Sequence, residues 1–91
     1  MQKLTEKEKN IKLMLVDEML KEVSKMDLKD LKENYKYMSK DPIFYIKYRA
    51  YTEEQVDSFT EKTSEELRKY FILGLNMYKI NVQNSEYFDI L

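Results

Sequence analysis

The chain has 91 residues, of which 43% are hydrophobic and 36% are charged, and its formal net charge is −1. This balance excludes a disordered chain, which would be less apolar, and a membrane-embedded chain, which would carry fewer charges. The length allows a single helical domain over residues 1–91, which would bury about two-thirds of the surface of the unfolded chain.

Cysteine and histidine are absent, and the sequence has one glycine, Gly74. These absences exclude disulfides, thiolate nucleophiles, histidine-based catalysis and the usual zinc sites, while a single glycine excludes a glycine-rich phosphate loop. We therefore expect no enzymatic activity, no cofactor and no metal. The first residues lack an apolar signal region and no stretch is long enough to span a bilayer, so we expect a cytoplasmic protein that does not contact membranes.

The first helix is predicted from about Glu6 to about Lys25. Thr5 and Glu8 have the spacing of a capping box, which marks the start of a helix. Apolar residues then recur every three or four positions, and others widen this stripe beyond one face. The stripe consists of Leu13, Val16, Leu20 and Val23, widened by Ile11, Met14, Leu15 and Met19. We expect burial on more than one side.

The second helix is predicted between Asp27, a favourable N-cap, and about Ser39. It ends there because Asp41 precedes Pro42, and the residue before a proline avoids helical backbone angles. Its apolar seam consists of Leu28, Leu31, Tyr35 and Met38.

Residues 42–51 allow two interpretations. Phe44, Ile46, Tyr48 and Ala50 alternate as in a strand. However, no second segment of comparable quality exists to pair with such a strand, and its backbone groups would be left unpaired. A short helix that begins at Pro42, with Asp41 as its cap, is therefore favoured.

A long amphipathic helix is predicted from Glu53 to about Ile80, because Thr52 and Gln55 have capping-box spacing. Thr63 and Glu66 repeat that spacing and allow a break into two helices, but a continuous or merely bent helix is favoured. Residues 81–84 are expected to end it, and Ser85 to cap a last helical turn. The expected core seam is Val56, Phe59, Thr63, Tyr70, Leu73, Met77 and Ile80.

Together these elements predict an all-α fold, a small bundle of three to five helices with the long amphipathic helix in the C-terminal half. The predicted core consists of Leu13, Val16, Leu20, Val23, Leu28, Leu31, Ile46, Val56, Phe59, Leu67, Tyr70 and Leu73.

Residues 51–75 carry a series of matched positions: Thr52, Val56, Phe59, Thr60, Thr63, Leu67, Arg68, Tyr70, Gly74 and Leu75. This series resembles the helix-turn-helix motif of MerR-type regulators and excisionase-like proteins. The resemblance implies that the helix after Thr63 lies in the major groove of DNA, with Arg68 on a phosphate. The candidate DNA-binding residues are Lys62, Thr63, Ser64, Arg68 and Lys69.

The sequence departs from that motif at several positions. Asp57 stands where a small residue is expected, and Glu61 stands where the turn glycine is expected. Glu65 and Glu66 place negative charge where DNA phosphates would lie. We therefore expect that this stretch does not read DNA bases, and a DNA-binding regulator is the alternative function.

The leading hypothesis is a small regulatory or inhibitory protein, of a kind encoded by phages or mobile elements, that binds a partner protein through an aromatic-rich helical surface. Half of the twelve aromatic residues lie between Tyr35 and Tyr51, interleaved with basic residues. Tyrosine offers a large contact area at low entropic cost and is enriched in interface hot spots. The candidate partner-binding residues are Tyr37, Tyr45, Lys47, Tyr48, Arg49 and Tyr51.

The charges are unevenly distributed. Residues 1–51 carry twelve basic and nine acidic side chains, whereas residues 52–91 carry four and eight. This difference in charge between the two halves, together with the broad apolar surface of the first helix, favours a homodimer. Two charged stripes are interpreted as solvated faces. The basic stripe, on the second helix, consists of Lys25, Lys29, Lys32 and Lys36. The acidic stripe, after Thr52, consists of Glu54, Asp57, Glu61 and Glu65.

Overall fold

A computed structural model describes residues 2–41, 43–44, 51–84 and 87–88 of the chain. Within these residues the elements, in chain order, are β1 (Gln2–Lys3), α1 (Glu6–Val23), α2 (Leu28–Ser39), α3 (Glu53–Ser58), α4 (Ser64–Asn84) and β2 (Tyr87–Phe88). The two short strands pair antiparallel, with Gln2 opposite Phe88 and Lys3 opposite Tyr87. The fold is thus all-α with a long C-terminal helix, and the predicted fold class is confirmed.

Helices α1 and α2 begin at the caps that the sequence predicts. The backbone N–H of Glu8 donates to Oγ1 of Thr5 at 3.1 Å, and Oε1 of Glu8 accepts from the N–H of Thr5 at 3.3 Å. The N–H of Asp30 donates to Oδ1 of Asp27 at 2.8 Å. Helix α1 ends at Val23, two residues before the predicted end, and α2 ends at Ser39 as predicted.

The predicted short helix at 42–51 lies largely outside the described residues. Those described at its ends are not helical: Ile43 is in a turn, and Phe44 and Tyr51 lie outside any helix. The carboxylate of Asp41 caps this turn, since its Oδ1 accepts the N–H of Ile43 at 2.9 Å. The side chains of Ile43 and Phe44 are both buried, so this turn contributes to the core.

The prediction of one continuous helix from Glu53 to Ile80 is wrong. Phe59, the C-cap of α3, has φ −65° and ψ 140°, which is extended backbone, and residues 59–63 separate α3 from α4. The hydroxyl of Thr63 accepts the N–H of Thr60 at 2.9 Å instead of forming a capping box with Glu66. This local bond closes the turn, which lets the Phe59 ring pack on Tyr51 at 5.0 Å between centroids.

The predicted end of the last helix is also wrong. Helix α4 runs through residues 81–84 to Asn84, because Val82 on its packed face is fully buried. The expected helical turn from Ser85 is contradicted at Tyr87 and Phe88, which form β2. The remaining residues of that turn lie outside the described part of the chain.

The core lies where α1 and α2 pack on α4, with α3 against α2. Of the predicted core, Val16, Val23, Leu31, Val56 and Leu67 are buried, and Leu13, Leu20, Leu28, Phe59 and Tyr70 are partly buried against them. Ile46 lies outside the described residues. Leu73 is 46% exposed and is a wrong prediction, as is Ile80, which is 54% exposed.

The error on Leu73 and Ile80 concerns which face of α4 is buried. The packed face consists of Leu67, Phe71, Gly74, Leu75, Tyr78 and Val82, which recur every three or four residues. The predicted seam follows the same period on a neighbouring face of the helix, displaced by about one residue. Both faces are apolar, so periodicity alone does not distinguish them.

Candidate functional site

An open groove runs between α1 and α2, because both helices pack on α4 but make few contacts with each other. It contains two adjoining hollows of about 240 and 220 Å3, and Leu15 lines both. The first hollow is lined by Leu15, Tyr37, Met38, Lys40 and Asp41, and the second by Leu15, Glu18, Met19, Glu22, Met26 and Asn34. We call these two hollows together the α1–α2 groove.

Large apolar side chains are exposed at this groove and beside it. Leu15 is 37% exposed and Tyr37 is 63% exposed, while Ile11 and Met14 on the adjacent face of α1 are 56% and 65% exposed. They are exposed because α1 carries more apolar residues than its contact with α4 can cover; Val16 and Val23 alone are fully buried along it. Contiguous apolar surface of this kind marks interaction sites.

Tyr37 points outward because its neighbours on α2 fill the core. Tyr35 and Met38 are buried on the packed face of α2, and a residue two positions from Tyr35 lies on the far side of a helix. The Tyr35 ring meets Phe44 and Phe71 edge-on, at 5.8 and 5.7 Å between centroids. The Tyr35 hydroxyl accepts the N–H of Tyr51 at 3.1 Å, and burial raises the pKa of this hydroxyl.

One end of the groove is fixed by hydrogen bonds to Asp41. Its Oδ2 accepts from Nζ of Lys12 at 3.2 Å and from the hydroxyl of Tyr78 at 3.0 Å. Burial, together with the adjacent Asp41 carboxylate, raises the pKa of Tyr78 above its ordinary value. Lys12 on α1 and Tyr78 on α4 thereby hold the chain segment that follows α2, which makes this end of the groove a preformed surface.

The rim of the groove is mainly acidic. Glu18 and Glu22 line it from α1 and are exposed. Asp30, also exposed, lies one helical turn before Asn34, on the same side of α2. The opposite end carries Lys40 beside Asp41. The apolar floor therefore lies next to a cluster of negative charge.

The structure separates the predicted partner-binding residues that it describes. Tyr37 lines the groove, whereas Tyr51 is half-buried and packs on Tyr35, Phe59 and Tyr70. Tyr51 is thus part of the aromatic core. Tyr45, Lys47, Tyr48 and Arg49 lie outside the described residues.

Sequence reasoning missed the groove residues Leu15, Met19 and Met26. The first two were assigned to a buried stripe on α1. The sequence nevertheless indicates that part of this stripe is exposed, because the stripe is wider than the surface that contact with one other helix can cover.

The candidate DNA-binding residues lie around the turn before α4. Lys62, Thr63 and Lys69 are exposed, whereas Ser64 is buried and its hydroxyl donates to the carbonyl of Glu61 at 3.0 Å. The guanidinium of Arg68 donates from Nη1 to the carbonyl of Val23 and from Nε to Oε1 of Glu65 at 3.0 Å. Two of its three guanidinium nitrogens are therefore engaged within the protein.

The basic and acidic stripes meet between α2 and α3. Nζ of Lys36 binds Oδ1 of Asp57, and Nζ of Lys32 donates to the Asp57 carbonyl at 3.0 Å. The hydrogen bond to Asp57 raises the pKa of Lys36. These contacts neutralise part of both stripes, so neither is a surface of one charge.

No family model, curated protein or solved structure matches this chain. Among the described residues, no helix combines the length and apolar character needed to cross a membrane.

Proposed function

We propose that the protein is a small regulatory or inhibitory protein that acts by binding a partner protein through the α1–α2 groove. The observation that carries this proposal is the exposure of Leu15 and Tyr37 on the walls of the groove, beside exposed Ile11 and Met14. Tyrosine and methionine are enriched in protein interfaces. The groove thus replaces the wider aromatic segment as the proposed contact surface, with Tyr37 retained from it.

The groove offers enough apolar surface for a specific complex of moderate affinity. Full burial of one Leu, Met or Phe side chain is worth about 1.5–3 kcal/mol. Several such side chains, buried together, can offset the translational and rotational cost of association. The walls are held by the Asp41 hydrogen bonds, so little further ordering is needed on binding.

A capture experiment tests the proposal. Affinity-tagged protein is incubated with nuclease-treated lysate of the native host, and bound proteins are quantified by mass spectrometry. We expect Leu15→Ala with Tyr37→Ala to lose a partner that the unmodified chain retains. The control is Lys62→Ala, because Lys62 is an exposed, long side chain in the turn before α4, outside both the groove and the outer face of α4. Equal retention by the double variant and the control would refute the groove as the contact surface.

DNA binding remains the second candidate because α3, the turn at 59–63 and α4 form two helices joined by a short turn. Against it, the first exposed side chains of α4 are Glu65 and Glu66, which would repel phosphates. Fluorescence anisotropy with mixed-sequence duplex at low salt separates the two functions. We expect no binding tighter than about micromolar. Tight binding that is lost in Lys62→Glu with Lys69→Glu would favour the DNA-binding regulator.

A homodimer is proposed through the outer face of α4. Leu73 and Ile80 are exposed there and Met77 is partly exposed between them. From Leu73 to Asn84 this face carries no charged side chain, since Lys79 points to α1 and binds Asp17 at 2.8 Å. Two copies can therefore bring the same face together without repulsion between like charges.

A further inference from the structure

We propose that the α1–α2 groove binds a basic amphipathic helix of its partner protein. This inference rests on the protein-binding function proposed above and specifies the chemistry of the segment that is bound. Three observations support it: the kind of apolar side chain in the groove, the sign of the charge on its rim, and the spacing of its two hollows.

Methionine is concentrated at this groove. Met19 and Met26 line its second hollow, and Met14 is exposed on the adjoining turn of α1. Met38, whose side chain is buried, lies behind the first hollow. These are four of the six methionines in the chain. Methionine is unbranched and polarisable, so it adapts to the shape of an inserted side chain and is characteristic of surfaces that accept amphipathic helices.

The charge of the rim selects a basic partner. Glu18 and Glu22 lie one turn apart along α1 and both line the second hollow. Asp30 extends the negative charge to the α2 side, and Lys40 lies at the other end, in the first hollow. Lysine or arginine residues that flank the apolar face of a bound helix would meet these carboxylates, which favours association and orients the helix along the groove.

The two hollows suit two anchors on one helix face. The α1 residues that line them run from Leu15 to Glu22, and a helix rises about 1.5 Å per residue, so this wall is about 10 Å long. Apolar side chains at positions i and i+4, or i and i+7, of a helix laid in the groove would fill one hollow each. An extended peptide would offer fewer side chains on one face over the same length.

Binding of a synthetic helix tests the inference. The probe is a fluorescein-labelled peptide of about 14 residues with leucine and lysine at helical spacing, a length near the minimum for a helix in water. The control peptide carries glutamate in place of every lysine. Fluorescence anisotropy with the full chain should show binding of the leucine–lysine peptide at least about tenfold tighter than the control, and weakening with salt. Equal binding of both peptides would overturn the inference.

A pair of charge variants locates the binding. Glu18→Lys with Glu22→Lys removes the acidic rim, and we expect a loss of affinity for the leucine–lysine peptide of at least about tenfold. Glu54→Lys with Glu61→Lys is the matched control, because it changes the net charge equally at two exposed residues outside the groove. If both double variants lose the same affinity for the leucine–lysine peptide, the peptide is attracted by the net charge of the protein. That result would contradict binding in the groove.

The failure of this inference is distinguishable from failure of the proposed function. If the leucine–lysine peptide does not bind, while Leu15→Ala with Tyr37→Ala still loses the native partner, the groove is a protein-binding site for a segment of different chemistry. If that double variant keeps the native partner, the proposed function itself is refuted.

Discussion

Arg68, in the second turn of α4, donates a hydrogen bond to the carbonyl oxygen of Val23, the last residue of α1. The guanidinium also binds Glu65 and its side chain is 16% exposed. A cation at the C-terminal end of a helix is favourable because the last carbonyls carry partial negative charge. This one side chain therefore joins the end of α1 to the start of α4.

Arg68→Ala should destabilise the fold, because it leaves the Val23 carbonyl without this charged donor. Hydrogen bonds to charged groups contribute about 1.5–3 kcal/mol, and we expect a loss in this range in urea unfolding followed by circular dichroism. Lys69→Ala, at an exposed neighbour, should change stability by less than about 0.5 kcal/mol. Equal stability of the two variants would show that Arg68 has no structural role.

The two apolar faces of α4 should respond differently to truncation. Phe71 is fully buried and Leu73 is 46% exposed, so Phe71→Ala should cost about 3–5 kcal/mol and Leu73→Ala less than about 1 kcal/mol. If Phe71→Ala does not fold, Phe71→Leu is the milder variant, with an expected cost of about 1–2 kcal/mol. Thermal and urea unfolding measure both. A larger loss for Leu73→Ala than for Phe71→Leu would contradict the packing described.

Local signals predicted the helix starts well, and the faces of α4 poorly. The capping boxes at Thr5 and Thr52 and the cap at Asp27 are formed as expected, since a cap depends on residues three positions apart. The choice between the Phe71 face and the Leu73 face depends on where α1 lies, which is a long-range property. The sequence allows a break at Thr63, whereas α3 ends at Ser58, because the end of α3 depends on the packing of Phe59 on Tyr51.

The candidate site was only partly predictable for the same reason. The sequence predicts Tyr37 as a candidate contact residue from its aromatic neighbours, and the structure exposes it at the groove. The sequence predicts burial of α1 on more than one side because Leu15 and Met19 widen its apolar stripe. That prediction is wrong for Leu15, which is exposed, and the open space between α1 and α2 follows from the way both helices pack on α4.

The stability of the protein should fall at alkaline pH. The pKa of Tyr78 is raised by burial and by Asp41, and that of Tyr35 is raised by burial, both from an ordinary value of 10.0. The folded state holds these protons more tightly than the unfolded chain. The resulting stabilisation is complete below about pH 10 and is lost as the pH rises above it. Urea unfolding at about pH 8 and about pH 11 measures the difference.

The Tyr78→Phe variant measures how much the Tyr78 hydroxyl contributes to the loss of stability at alkaline pH. The variant cannot ionise there and also loses the hydrogen bond to Asp41, so we expect it to be less stable by about 0.5–1.5 kcal/mol at neutral pH and less sensitive to alkali. Tyr37→Phe, at an exposed residue, is the control and should keep most of the alkaline fall, because Tyr37 makes the smallest contribution to the raised pKa of Tyr78. If Tyr78→Phe loses as much stability at alkaline pH as the unmodified chain, groups other than Tyr78 cause that loss.

Light scattering at micromolar concentration tests the proposed homodimer. We expect a mass near twice the 11.1 kDa of the chain, and a return to the single mass in Leu73→Lys, because a charge would be buried in the α4 contact. Lys69→Glu, which changes an exposed charge one turn earlier, should leave the mass unchanged. A single-chain mass for the unmodified protein would refute the dimer.

Tyr35 contacts both ends of the segment between Phe44 and Tyr51, through its ring to Phe44 and through its hydroxyl to the N–H of Tyr51. The closure of this segment is therefore secured by one side chain of α2. Tyr35 thus fixes two positions that lie seven residues apart in the sequence, so truncation of this one side chain should release both Phe44 and Tyr51.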